Sequence, residues 1–277
     1  MTSSQLSAIF LLTLFAGLMV RFWLAMRQML HVRHHRGSVP TAFAEIISLE
    51  AHQKAADYTL ARVRLGMVDL FISSCLLLIL TLGGLAQGLY DLTGRFLDAG
   101  SLAQGLAFIA AIAGISWLID LPLGLYRSFG LEARFGFNRL TPSLFIVDTL
   151  KGVALAALIG LPLLAFVLWL MEAMGERWWL FVWAFWLSFN LLVLLVYPTF
   201  IAPLFNKFKP LEDGPLKSRI ESLMTRCGFR LSGLFVMDGS KRSAHGNAYF
   251  TGFGAAKRIV FFDTLLDKLA PAEVEAV

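Results

Sequence analysis

The stretch LAQGLAFIAAIAGISWLIDLPLGL, residues 102–125, carries one charged side chain, Asp120, in an otherwise apolar run. A helix needs about 20 mostly apolar residues to cross the core of a bilayer, and this run is long enough. Four more stretches qualify, at roughly residues 6–23, 66–85, 153–174 and 178–201. Composition agrees: 57% of the 277 residues are hydrophobic and 16% charged, against about 45 to 50% and about 25% in a soluble domain. The mean hydropathy is +0.70. The chain reads as mainly α-helical and membrane-embedded, with five spans in residues 1–205. The first run has no basic segment before it and no small-residue cleavage site ahead of Arg21, Phe22 and Trp23, so it reads as a retained helix rather than a removable leader.

Basic residues crowd two connections. Arg27, Arg33, Arg36, Lys54, Arg62 and Arg64 follow the first span, and Arg127, Arg134 and Arg139 follow the third. The alternate connections hold only Arg95 and Arg177. The positive-inside rule places the basic loops in the cytoplasm, so the N-terminus is expected outside and everything after Ile201 inside. The net charge of +5 is explained by this topology and does not indicate a nucleic-acid surface. Trp178, Trp179, Trp183 and Trp186 read as an interfacial aromatic belt. His31, His34 and His35 in HVRHHR have a spacing that could hold a metal on a helix, but beside Arg33 and Arg36 they read better as a basic cluster at an anionic lipid surface. Cys75 and Cys227 provide no disulfide framework.

Asp69, Asp120 and Asp148 lie within or at the edge of the second, third and fourth spans, where an unpaired charge costs about 2.5 to 3.5 kcal/mol at mid-span. Two readings stand side by side. The carboxylates form interfacial ion pairs with Arg21, Arg62, Arg64 or Lys151, or they line a polar cavity between the spans.

From Asn206 to Val277 the pattern turns charged and mixed, marking a second, α+β unit. Pro215 suits a first helical position after Asp213 or Gly214, and Leu216, Ile220, Leu223, Met224 and Cys227 follow helical spacing up to Gly228. LFVMD, NAYFTGF and RIVFFD read as strands. A last helix opens at Pro271 with Glu273 and Glu275 in its first turns. No H-E-x-x-H, G-x-S-x-G, P-loop or C-x-x-C is present. By themselves these residues describe a membrane protein with a small cytoplasmic α+β unit.

A resemblance adds to this. DGSKRSAHGNAYFTGFGAAKRIVFFDTLL (238–266), followed by the acid-bearing helix at Pro271, resembles the stretch before the zinc helix of the type 1 CAAX prenyl endopeptidases, which are membrane zinc metalloproteases. ARVRLG, DLPLGLYRSFGLEARFGFN (120–138) and IAPLFNKFKPLEDG (201–214) match in the same order. The resemblance implies a metallopeptidase domain beginning at residue 206, and a final helix that continues past Val277 into H-E-x-x-H, whose two histidines and a later glutamate hold Zn2+. It therefore places the zinc ligands downstream of Val277, and neither a metal ligand nor a catalytic residue in this chain, which is expected to be a truncated, inactive portion of such an enzyme. It implies that His245 to Phe250 form the strand against which a peptide is laid, with Asn247, Ala248, Tyr249 and Phe250 as substrate-binding residues. Asn247 would position the substrate through its amide, and Ala248 and Tyr249 would present backbone groups. Read from the residues alone, Asn247 after Gly246 is a turn pair. Glu132 to Asn138 (EARFGFN) is expected to be a structured cytoplasmic loop near the second unit. The implied partners are the lipid bilayer and a peptide or prenylated protein substrate, with no nucleic acid; the membrane is a bacterial inner membrane or the endoplasmic reticulum. The alternative is a non-catalytic membrane scaffold or substrate-binding fragment. A transporter is disfavoured, because the spans show no inverted repeat.

Overall fold

The structure is a computed structural model that describes residues 2–229, 231–252 and 257–276. Among these residues, five helical stretches are long and apolar enough to cross a membrane: Ser3–His35, Leu49–Thr81, Leu102–Phe135, Pro142–Ala173 and Gly175–Phe205. Most overrun the apolar runs within them, because a hydroxyl sits where each helix can start early. The side chains of Thr2, Ser48, Ser101 and Thr141 accept the backbone N–H of Gln5, Ala51, Gln104 and Leu144, satisfying donors that a helix start leaves open.

We name the principal helices α1 (Ser3–His35), α2 (Leu49–Thr81), α3 (Leu85–Thr93), α4 (Leu102–Leu125), α5 (Pro142–Ala173) and α6 (Trp178–Val196). The expected second span, 66–85, is corrected at its end. Gly84 adopts φ +77, a left-handed conformation that glycine takes without strain, so α2 stops and α3 begins as a separate short helix. After α4 the backbone widens into a π-helical stretch, Tyr126–Glu132, and after α6 into another, Tyr197–Ile201. In the second, Pro198 has no N–H to give to the turn before it.

By contacts the chain divides into two compact units, Met1–Phe135 and Gly136–Val277. This division falls elsewhere than the change of composition at residue 206. In the first unit, the Arg36 guanidinium grips the Asp57 carboxylate through two hydrogen bonds of 2.8 Å. The Tyr58 hydroxyl donates to Glu132 at 2.7 Å, so the end of the long helix that begins as α4 is tied to α2.

The second unit contains α5, α6 and a four-stranded sheet. Its strands are β1 (Phe208–Pro210), β2 (Gly233–Met237), β3 (Ala248–Thr251) and β4 (Arg258–Phe262), in the spatial order β1-β2-β4-β3. β2 and β4 are parallel; β1 and β3 run antiparallel to their neighbours. Helices α7 (Pro215–Arg226), α8 (Asp263–Leu266) and α9 (Pro271–Ala276) complete the unit. Leu211, Ile220, Leu234, Ile259, Phe261, Leu265 and Val274 form its buried core. Alternate residues of β4, Ile259 and Phe261, therefore face this core, as the two-residue strand period requires. The expected strands and the helix at Pro215 are present. NAYFTGF is shorter than expected, ending at Thr251; its Phe253, like Val277 of the last helix, lies outside the described residues. β1 was not anticipated. It is three residues long and includes Pro210, which a strand accepts at a sheet edge.

Candidate substrate-strand site

Among the described residues β3 is an edge strand, paired with β4 on one side only. Its register is Ala248↔Phe261, Tyr249↔Val260, Phe250↔Ile259 and Thr251↔Arg258. The Phe262 N–H donates to the Asn247 carbonyl at 2.9 Å, which fixes the alternation of an antiparallel ladder. The backbone groups of Asn247, Tyr249 and Thr251 then face β4, and those of Ala248 and Phe250 face the free edge. The expectation that both Ala248 and Tyr249 present backbone groups is met at Ala248 only: adjacent residues of a strand turn their backbone groups to opposite edges, so the next outward residue is Phe250. The Ala248 N–H is held by the Asn247 side-chain oxygen at 2.9 Å.

The side chains divide by face. Ala248 packs against the core, and Phe250 shares its side of the strand but is 62% exposed. Ala248 and Phe250 border a cavity of about 280 Å³ with Ile220, Leu223 and Val274. Tyr249 lies on the other face, beside an apolar cavity of about 120 Å³ that Tyr197, Pro198, Ala202, Phe235 and Val260 also line. Burial, and then the nearby Tyr197, push the Tyr249 phenol above its ordinary range.

The approach to β3 is anchored residue by residue. The Ala244 N–H donates to the Phe137 carbonyl at 2.9 Å, and the Arg139 N–H to the Arg242 carbonyl at 3.1 Å. Asn138 pairs with Ser243 as an isolated bridge, and the Phe137 ring stacks on His245 with centroids 4.2 Å apart. The Thr264 hydroxyl donates to the His245 carbonyl at 2.8 Å. Gly246 lies so close to Leu265 that a Cβ there would be 3.3 Å from the Leu265 Cα. Phe137 and Asn138 of EARFGFN thus pack on the segment leading into the strand.

Two of the three membrane aspartates, Asp148 and Asp69, find other partners than those expected. Asp148 is held by Arg242, with Nε to Oδ2 at 2.7 Å and Nη2 to Oδ1 at 2.9 Å. Lys151, the expected local partner, donates to the Leu204 carbonyl at 2.8 Å. Asp69 lies 3.8 Å from Arg127, and Asp120 is exposed on α4. Arg242 escaped the sequence reading because its partners are 94 and 36 residues away, and no local spacing signals them. The rings of His31 and His35 are 4.2 Å apart on α1.

Zinc, which the resemblance implies, can be tested against these side chains. Among the described residues no group of three or more His, Cys, Asp or Glu could hold a metal ion, so they do not fit that role. What this region supplies is a strand edge and its supports.

Residues 28–207 match the family model described as the CAAX prenyl protease N-terminal region with five membrane helices. The chain belongs to the CAAX prenyl protease family. Residues 210–277 match peptidase family M48, so this is a multi-pass membrane protein of a metallopeptidase family. It is 46% identical over 184 residues to CAAX prenyl protease 1 of Saccharomyces cerevisiae, covering 66% of this chain and 41% of that protein. To the homologue of Homo sapiens it is 36% identical over 237 residues, 83% of this chain and 50% of that one. A crystal structure of S. mikatae Ste24p superposes with a TM-score of 0.86 at 36% identity, covering 95% of this chain and 63% of that one. The chain spans about half the length of the curated relatives it matches. Residues 28–207 thus correspond to the five-helix region of CAAX prenyl proteases, and residues 210–277 to M48 sequence.

Proposed function

We propose that this chain is the membrane-spanning and substrate-presenting part of a zinc metalloendopeptidase that cuts peptide bonds near the C-terminus of prenylated proteins. The zinc of such an enzyme would be held by ligands other than the side chains described here. What supports the reading is the outer edge of β3 in a chain of this family: Ala248 and Phe250 turn backbone groups outward, the Ala248 N–H covered by the side chain of the exposed Asn247. A peptide can add there as a further strand, gaining main-chain hydrogen bonds from the edge and selectivity from the flanking side chains. Asn247, Ala248, Tyr249 and Phe250 are its binding residues, with Asn247 steering the peptide through its amide. The bilayer is the second partner; the basic loops 27–64 and 127–139 support an orientation with the N-terminus outside and the sheet in the cytoplasm, in a bacterial inner membrane or the endoplasmic reticulum.

The test is binding of CaaX peptides, farnesylated and unmodified, to the 277-residue chain in lipid nanodiscs, with single N-methyl groups moved along the peptide. Strand addition predicts that methylation weakens binding at alternate positions only, because only alternate N–H groups of an added strand point at β3. Equal sensitivity at every position, or none at any, overturns it. Metal analysis of the same sample should give less than stoichiometric zinc, and the coding sequence read past Val277 should continue into H-E-x-x-H. Its absence would sink the zinc assignment.

A further inference from the structure

We infer that Arg242, gripped by Asp148, is a positioning residue that holds the approach to the β3 edge against the ends of two membrane helices. This rests on the strand reading above. Every heavy donor of the Arg242 guanidinium is used. Besides the two bonds to the Asp148 carboxylate, Nη1 donates to Asn206 Oδ1 at 2.7 Å and Nη2 to the Phe205 carbonyl at 2.6 Å. Asp148 belongs to the first half of α5, while Phe205 and Asn206 close the helical stretch that begins as α6. The two side chains are 23% and 19% exposed, far less than the other arginine–aspartate pairs among the described residues, Arg36–Asp57 and Arg127–Asp69. A forked pair of this kind fixes direction as well as distance, and it is screened less than a surface pair.

What the guanidinium fixes is a short piece of backbone. From Arg242 to Asn247 the chain has no regular secondary structure apart from the Ser243 bridge, and it is held by contacts on two sides. On one side are Phe137, Asn138, Arg139, Asp148 and Asn206; on the other are Phe262, Thr264 and Leu265. Arg242 is the member of that segment whose side chain reaches the helices. Five residues later comes Asn247, whose side-chain oxygen accepts the Ala248 N–H at the start of β3 and whose carbonyl accepts the Phe262 N–H at the end of β4. Seated by the fork and these contacts, the segment presents Asn247 in register with β4. Lysine at position 242 would keep the charge but offer a point donor in place of the planar fork.

Hydrogen exchange and peptide binding on the 277-residue chain in nanodiscs test this with Arg242→Lys, Arg242→Gln and Asp148→Asn. The expected result is faster exchange, by about tenfold or more, at the Ala244 N–H and at the Phe262 N–H that serves Asn247. Val260, Phe261 and α7 should keep wild-type protection. Affinity for a farnesylated CaaX peptide should fall about tenfold in all three variants, with Arg242→Lys failing to restore it. A uniform rise in exchange across the sheet would mean a merely structural role, and unchanged exchange at Ala244 and Phe262 would remove the role altogether; either overturns the inference. If the wild-type chain binds no peptide, the strand reading fails on its own, and the exchange data still decide what Arg242 holds in place.

Discussion

The Asn247 side chain accepts the N–H of its own neighbour, Ala248, at 2.9 Å. That N–H points to the free edge, where an exposed strand would otherwise offer it to any passing chain. Asn247 therefore covers the outward N–H at the start of the edge. A peptide that takes the Ala248 N–H releases the amide, which can then turn to the peptide itself. Asn247→Ala removes the cover and the amide together. If the amide contributes a hydrogen bond to the bound state, worth about 0.5 to 1.5 kcal/mol, CaaX-peptide affinity falls roughly 2- to 10-fold in calorimetry. If the side chain merely caps the edge, affinity rises, and the positioning role of Asn247 is lost.

Gly239 begins the turn that carries the chain from β2 toward Arg242. A Cβ added there would lie 2.6 Å from the Phe262 ring carbon Cδ2, which no side chain can occupy without moving the ring. The ring in turn stands edge-on to Tyr249, with centroids 6.2 Å apart. Gly239→Ala should cost about 1 to 3 kcal/mol as an overpacked site, seen as a lower midpoint in thermal unfolding followed by tryptophan fluorescence. A midpoint within error of wild type would show that Phe262 has room to retreat.

Some of this was legible in residue order and some was not. The spans could be read because each needs only its own composition, and α7 because Leu216, Ile220 and Leu223 mark one helical face without help from elsewhere. β2, β3 and β4 showed as short apolar runs. β1 did not, since Phe208–Pro210 is held as a strand by β2 and by the Lys207 N–H on Asp238 Oδ1 at 2.7 Å, contacts that sequence spacing does not encode. The outward phase of β3 likewise depends on where β4 pairs, so one position could not be settled: Tyr249 turns its backbone inward. The partner of Asp148 is the clearest miss. Nearby basic residues were the natural candidates, but an ion pair is chosen by the fold, and Arg242 arrives from a different part of the chain.

Helix α9 docks on α7 by two means of unequal strength. Val274 and Ile220 are each 3% exposed in a common core, whereas Glu275 meets Arg219 at 2.7 Å and Arg226 at 3.5 Å on the surface, with both arginines more than half exposed. Apolar burial should dominate. Ile220→Ala is expected to cost about 2 to 5 kcal/mol and Glu275→Gln less than about 1 kcal/mol, compared by denaturant unfolding of the same preparation. A larger loss from Glu275→Gln than from Ile220→Ala would reverse that ranking and make the ion pairs the anchor of the last helix.

Tyr249 gives the strand a pH dependence whose sign follows from its surroundings. Burial on the sheet face and the neighbouring Tyr197 raise the phenol above its ordinary value, so the folded chain keeps this proton to higher pH than the unfolded chain does. Between the two values the folded state binds more protons, and stability must fall as pH rises. The contribution is intact below about pH 10, where an unfolded tyrosine ionises, and is lost as pH climbs through the folded value. Tyr249→Phe cannot ionise. The difference in unfolding free energy between wild type and Tyr249→Phe should therefore stay flat from neutral pH to about pH 9 and then move against the wild type, measured by denaturant titration at each pH. A difference that stays constant to pH 11, or moves the other way, would mean that the phenol reaches solvent and that the cavity beside it does not exclude charge. In that case the face of β3 bearing Tyr249 would be a wet surface, and an aliphatic side chain of an added strand would gain nothing by lying there.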